Sequence, residues 1–264
     1  MGLFDRKYCD VCGEKIGLLG NRKLEDGNLC KNCAAKLSPW FSERRHSTLE
    51  EIKAQLAYRE ENRLAVSAFH TTRTIGRNYK VLLDEDARKF IVTNSSKVME
   101  ANPDVLDYSQ VTGCDLDIDE SRSELTRRDK DGKEISYTPP RYEYSYDFYI
   151  TIHVNHPYFD EMRFRLNSSS VETGERSMAG TGAGSWRINP AGGIRGGMGA
   201  NDYFEYVQMG NEIKEALTQA RQEIRTEAAA AAAPKAAVTC PLCGATTFPD
   251  ANGRCEYCGG PVNG

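Results

Sequence analysis

Eight of the nine cysteines fall into four C-x-x-C pairs: Cys9 with Cys12, Cys30 with Cys33, Cys240 with Cys243, and Cys255 with Cys258. Two thiols three residues apart on a tight turn can face one ion, and a second such turn completes a sulfur tetrahedron. The pairs combine into two quartets, with seventeen residues between the pairs of the first and eleven between those of the second. Glycine follows three of them, as Gly13 in CDVCGEK, Gly244 in CPLCGAT and Gly259 in CEYCGGP. There a positive φ and an N–H turned toward thiolate cost least. The fourth pair, CKNCAAKL, runs into a helical-looking segment. The spacing predicts two Zn2+ ions per chain, and four thiolates leave no position for water or substrate, so the expected role of the metal is structural. Disulfides, a redox-active C-x-x-C and iron are the alternatives for the same residues. Cys114, in VTGCDLDID, has no such partner and reads as a small buried strand residue.

The intervening chain must position these quartets. Ser47 with Glu50 resembles a capping box, and Leu49, Ile52 and Leu56 follow at helical spacing, predicting a helix over about residues 47 to 63. From residue 64 to about 170 the pattern changes to short strands: LAVSAFHTT, YKVLLDE, RKFIVTN, DVLDYSQVTGCDLDID, EISYT, YEYSYDFYITIHV and EMRFRLN. Hairpin turns are expected at Asp84 to Arg88 and Asp129 to Lys133. A Gly-rich loop over about 174–200 and a helix over about 202–228 follow, the helix carrying Tyr203, Val207, Ile213, Leu217, Ala220 and Ile224 as its apolar stripe. The expected organisation is a first ribbon at 1–40, a linking segment at 41–63, a β module with its helix at 64–228, an Ala-rich linker at 229–238 and a second ribbon at 239–264.

Net charge is -4, with 34 basic against 38 acidic side chains, so no global cationic field draws the chain to polyanions. The charge is uneven: residues 1–45 sum to +3 and residues 46–228 to -7. No apolar run has the length of a membrane span, and the first residues carry neither a secretory h-region nor a myristoylation pattern, since Arg6 stands where Ser or Thr is needed. A cytoplasmic protein is expected.

The segment YCDVCGEKIGLLGNRKLEDGNLCKNCAAKLSPWF resembles the N-terminal four-cysteine domain of an uncharacterised bacterial family, through the pair spacing, the GLLG turn of Gly17 to Gly20, and Asp26-Gly27. In that family the ribbon is often followed by a module resembling a bacterial pleckstrin-homology or GRAM-like domain, and YKVLLDEDARKFIVTN with VLDYSQVTGCDLDID is similar to its middle strands. The resemblance implies an α+β fold: an antiparallel β core of pleckstrin-homology-like type closed by a C-terminal helix, here flanked by two small zinc ribbons. It implies no catalytic residues. The C-terminal CPLCGATTFPDANGRCEYCGG resembles the double-knuckle ribbons that end many bacterial proteins.

Three functions compete. A non-enzymatic zinc-binding adaptor, docking a protein partner through the β module and the ribbons, fits the acidic module best. A nucleic-acid-associated protein would use Arg22, Lys23, Lys31 and Lys36 with Trp40 and Phe41 at the first ribbon. A membrane-surface module would bind phosphoinositide through Arg73, Arg77 and Lys80 near the first hairpin, against the charge of its own domain. For catalysis the central module offers His70, His153 and His156, which read as structural, and the chain has no phosphate-binding glycine motif. Asp115, Asp117, Asp119 and Glu120 alternate as on a solvated strand, without calcium-loop spacing.

Overall fold

A computed structural model of the protein describes residues 7–177, 199–232, 237–250 and 253–262. The chain forms two compact units, Met1–Arg221 and Gln222–Gly264. It is a mixed α and β protein whose sheets are antiparallel.

The first unit begins with two small hairpins, β1 (Lys7–Tyr8) with β2 (Lys15–Ile16) and β3 (Arg22–Lys23) with β4 (Asn28–Leu29), and the short helix α1 (Lys31–Ala34). Leu24, Leu29, Leu37 and Ile52 bury a real apolar core beneath the cysteines. Ile52 belongs to α2 (Leu49–Ala68), so the ribbon and this helix share that core. The helix starts one residue later than the sequence pattern suggests. Ser47 donates its hydroxyl to the Glu43 carbonyl, and Thr48 and Glu51 form the reciprocal capping box instead. Asp26 of the ribbon also accepts the Leu49 N–H at 2.7 Å, fastening the helix entrance. The helix continues to Ala68, through most of LAVSAFHTT, so that segment is not the first strand; Val66 is the last of the helix's buried residues.

A four-stranded meander follows: β5 (Arg73–Gly76), β6 (Lys80–Asp84), β7 (Lys89–Thr93) and β8 (Val105–Asp107), with the short helix α3 (Val98–Ala101) before β8. After a 3-10 turn, β9 (Val111–Arg128) and β10 (Glu134–His156) pair along nearly their whole length. EISYT and YEYSYDFYITIHV thus lie in one strand, with a register shift between Ser136 and Arg141 that accommodates Pro139 and Pro140. The other edge of β10 carries β11 (Phe159–Arg165) toward its end and β12 (Val171–Ser177) toward its middle. The loop expected from 174 therefore begins as strand, and residues 178–198 lie outside the described residues.

Helix α4 (Gly199–Ala232) is longer at both ends than the 202–228 expected, because the alanine run after residue 228 sustains it. Within the first unit, its Ile213 and Leu217 are fully buried, Tyr206 stacks on Phe148 of β10, and Tyr203 meets that ring edge-on. A Cβ at Gly210 would meet the Leu116 side chain of β9 at 2.7 Å, so glycine permits the close approach of helix and sheet. Arg73 and Arg77 reach Glu212 and Glu205 of the same helix, tying the meander to it. Among the described residues no helix is long and apolar enough to cross a membrane.

The second unit contains one hairpin, β13 (Val238–Thr239) with β14 (Thr246–Thr247), and a bridge between Arg254 and Pro261. Its buried cluster is Cys240, Cys255 and Val262, with Val238 against it.

Candidate metal centres and the adjoining cleft

The fold gathers each cysteine quartet. Cys9, Cys12, Cys30 and Cys33 form one group and Cys240, Cys243, Cys255 and Cys258 the other, with the sulfurs of each within 4.8 Å of one another. The S···S separations are 3.8 Å for Cys12 and Cys30, 3.6 Å for Cys240 and Cys258, and 3.7 Å for Cys243 and Cys255. Those values match the edge of a tetrahedron of sulfurs around one ion, about 3.8 Å for Zn–S bonds near 2.3 Å. A disulfide would need about 2.05 Å, and all nine cysteines are free thiols.

The local backbone explains why the sulfurs converge. The residue after each pair turns back onto the first cysteine's carbonyl: Gly13 to Cys9, Gly244 to Cys240 and Gly259 to Cys255, each at 2.8 Å, and Ala34 to Cys30 at 3.0 Å. The three glycines sit at φ of 74°, 70° and 68°, the left-handed region where a side chain is strained. The fourth turn instead enters α1, with Cys30 as the N-cap accepting the Cys33 N–H at 3.3 Å.

The electrostatics suit a cation. Burial pushes the Cys9 thiol up, but N–H groups of Cys12, Cys30 and Val11 outweigh it and bring it down to about 6. Burial and the neighbouring sulfurs hold Cys33 well above its ordinary value. In the second quartet the Cys243 N–H leads the donors that lower Cys240 to about 7. Cys258 accepts the Gly260 N–H, which favours its thiolate, yet the surrounding sulfurs push it up to about 12. Four thiols so close resist ionising together, and a divalent ion removes that resistance. Cys114 lies apart from both groups; burial raises its thiol to about 12, as for an inert core residue.

Other sequence candidates disperse. His153 faces Asp115 at 3.4 Å, while His156 bonds Tyr58 Oη at 3.0 Å and accepts the Tyr158 N–H through Nδ1, so its Nε2 carries the proton. His70 donates its backbone N–H to Asp84 at 2.8 Å. Asp115 also meets Lys214, and Asp117 meets Arg163 at 3.1 Å, so these acids face cations rather than one another. Among the described residues, the two cysteine quartets are the groups of His, Cys, Asp and Glu close enough to share an ion. The Arg73 and Arg77 guanidinium groups face the α4 carboxylates instead of converging with Lys80 on a headgroup. Trp40 packs against Tyr79 and Phe164 and lines the cleft described below, while Phe41 packs against the ribbon core.

Two features escaped the sequence reading. The first is a buried polar corner: Arg59 of α2 donates to Asp104 at 2.7 Å, with side chains 5% and 0% exposed, and to the Asn102 carbonyl. Ser38 donates to the other Asp104 oxygen, Asn62 donates to Asn102 Oδ1 and the Pro103 carbonyl, and Asn102 sits at φ 47°. The signal was Ile52, Gln55, Arg59, Asn62 and Val66, a buried helical stripe at intervals of three and four whose middle is polar. The second is a cleft of about 1130 Å³ where ribbon, meander and β11 meet, lined by Pro39, Trp40, Tyr79, Tyr158 and Phe159 and edged by Glu43, Asp160 and Glu161. The Trp40 indole N–H has no partner among the described residues.

A family model described as a domain of unknown function (DUF4428) matches residues 7–55, which cover the first ribbon and the start of α2. No curated protein and no solved structure matches the chain.

Proposed function

We propose that the chain is a non-enzymatic zinc-binding adaptor whose ribbons are made rigid by one Zn2+ each and whose β module docks a protein partner. The observation that carries the docking is the cleft: aromatic and proline side chains line it, and Glu43, Asp160 and Glu161 give it an acidic edge, its Arg59 and Arg163 being paired with Asp104 and Asp117. Rings in a groove accept apolar and proline-rich segments, and the carboxylates favour a basic one. Four thiolates closing each metal support a structural rather than catalytic ion. Four strands, then β9, β10 and β11, then a helix lying on them, support a pleckstrin-homology-like module, with β12 as an addition.

The test of the metal is mass spectrometry under native conditions, with about two zinc ions per chain expected from the two closed sites; iron or a metal-free chain would reject it. The test of docking is selection from a displayed peptide library against the full chain. Basic sequences rich in proline or aromatic residues should be enriched, and Asp160→Lys with Glu161→Lys should abolish their binding. Enrichment indifferent to that charge reversal would sink the cleft as the docking site.

A further inference from the structure

The most exposed large apolar side chains of the described residues are adjacent: Leu18 at 88% and Leu19 at 90%. They occupy the two central positions of the Gly17–Gly20 turn, closed by the Gly20 N–H on the Gly17 carbonyl at 2.9 Å. Central turn positions normally carry polar residues, glycine or proline, and two leucines there gain nothing from the fold. Cations surround their base. Arg22 donates to the Leu19 carbonyl at 3.3 Å, and Arg44 donates to the Lys23 carbonyl. Arg22, Lys23, Arg44 and Arg45 line one concavity with a single acid, Glu25. Burial first, and then repulsion from Arg45 and Arg22, lowers the Arg44 pKa, so these guanidinium groups crowd one another without a carboxylate among the causes. Lys15, on β2 just before the turn, is exposed as well.

We propose that the GLLG turn and the cations at its base form a contact for an anionic phospholipid bilayer, with Leu18 and Leu19 entering the headgroup boundary while Arg22, Lys23 and Arg45 meet lipid phosphates. An apolar tip above a cationic ring matches a surface whose charge lies outside and whose hydrocarbon lies beneath. Nucleic acid would match the cations but has no use for the leucines, and the ribbon's Trp40 lines the cleft rather than the cationic concavity. A second copy docked symmetrically, turn on turn, would cover the leucines only by opposing like charges. The contact lies on the ribbon, apart from the cleft, and does not depend on the adaptor reading.

The experiment is sedimentation of the full chain with vesicles of phosphatidylcholine, with and without phosphatidylserine. Binding is expected only with phosphatidylserine, weakening as salt rises. Leu18→Ser with Leu19→Ser should reduce partitioning at least about tenfold, and Lys23→Ala with Arg45→Ala roughly thirtyfold. Each variant is assayed for bound metal and circular dichroism. As a gain-of-signal check, Leu18→Trp should be quenched by brominated lipid more strongly than the parent chain. No sedimentation of the parent chain, equal binding to neutral vesicles, full binding by the leucine variant, or no added quenching would each overturn the proposal. So would salt-sensitive retention on RNA or DNA that ignores the leucines while vesicles are ignored.

Discussion

The two ribbons use the same four-thiol, two-turn chemistry to different ends. Around the first quartet, Leu24, Leu29, Leu37 and Ile52 are buried, and Asp26 and Ser38 join the ribbon to α2 and to the Asn102–Asp104 corner. Around the second, Val262 and Val238 are the apolar residues packed with the buried cysteines, while Leu242, Phe248 and Tyr257 are exposed. A core of that size cannot offset the entropy of ordering its chain, so on the zinc reading proposed above the ion would supply the folding free energy. On the same reading the first ribbon would add the ion to ordinary burial, and the comparison separates a ribbon that metal would complete from one that metal would create.

The largest expected effect comes from chelation. Removal of metal at neutral pH should expose every backbone amide of residues 237–262 to rapid hydrogen exchange, whereas β3, β4 and α2 should keep part of their protection. Equal loss in both ribbons, followed by exchange mass spectrometry, would break the comparison. Next comes the polar corner: Asp104→Ala strands the buried Arg59 and should cost the first unit about 3–5 kcal/mol, read as a shifted denaturant midpoint with the second quartet's metal content unchanged. Thr48→Ala removes the capping hydroxyl and should cost about 1 kcal/mol, confined to the same unit. The smallest effect is with pH. Burial holds the His156 pKa below its ordinary value, so the unfolded chain takes up the proton first. Stability of the first unit is therefore complete above about pH 6.5 and declines as pH falls through that value toward the lowered pKa. His156→Gln should flatten that part of the curve, while the second unit, which has no histidine, should not register the change.

The cysteine quartets were the most legible part of the sequence, because metal ligands must be few, specific and fixed in spacing. The alternation of Cys114, Asp115 and Leu116 likewise announced its strand. What stayed hidden was polarity in the wrong place. Burial of Gln55, Arg59 and Asn62 leaves no mark in the local sequence, because the Asp104 and Asn102 that receive Arg59 and Asn62 lie some forty residues later. LAVSAFHTT read as strand for the related reason that Val66 completes a buried stripe whose other members are not all apolar. Ser47 competed with Thr48 for the cap, and the decision lay in its bond to Glu43, a contact of the preceding 3-10 turn. The cleft and the exposed leucines are properties of arrangement, and only the fold displays them.

The Arg59–Asp104 corner also determines what can be moved between proteins. Its members come from the ribbon's exit, the middle of α2 and the entrance to β8, so no cut between residues 38 and 104 leaves every partner satisfied on one side. Excised alone, the first ribbon would leave Asp104 without its serine, and the β module would inherit a charge pair open to water on one flank. The segment that travels as a cassette is the last ribbon, and the first must be borrowed together with the sheets it has been built into.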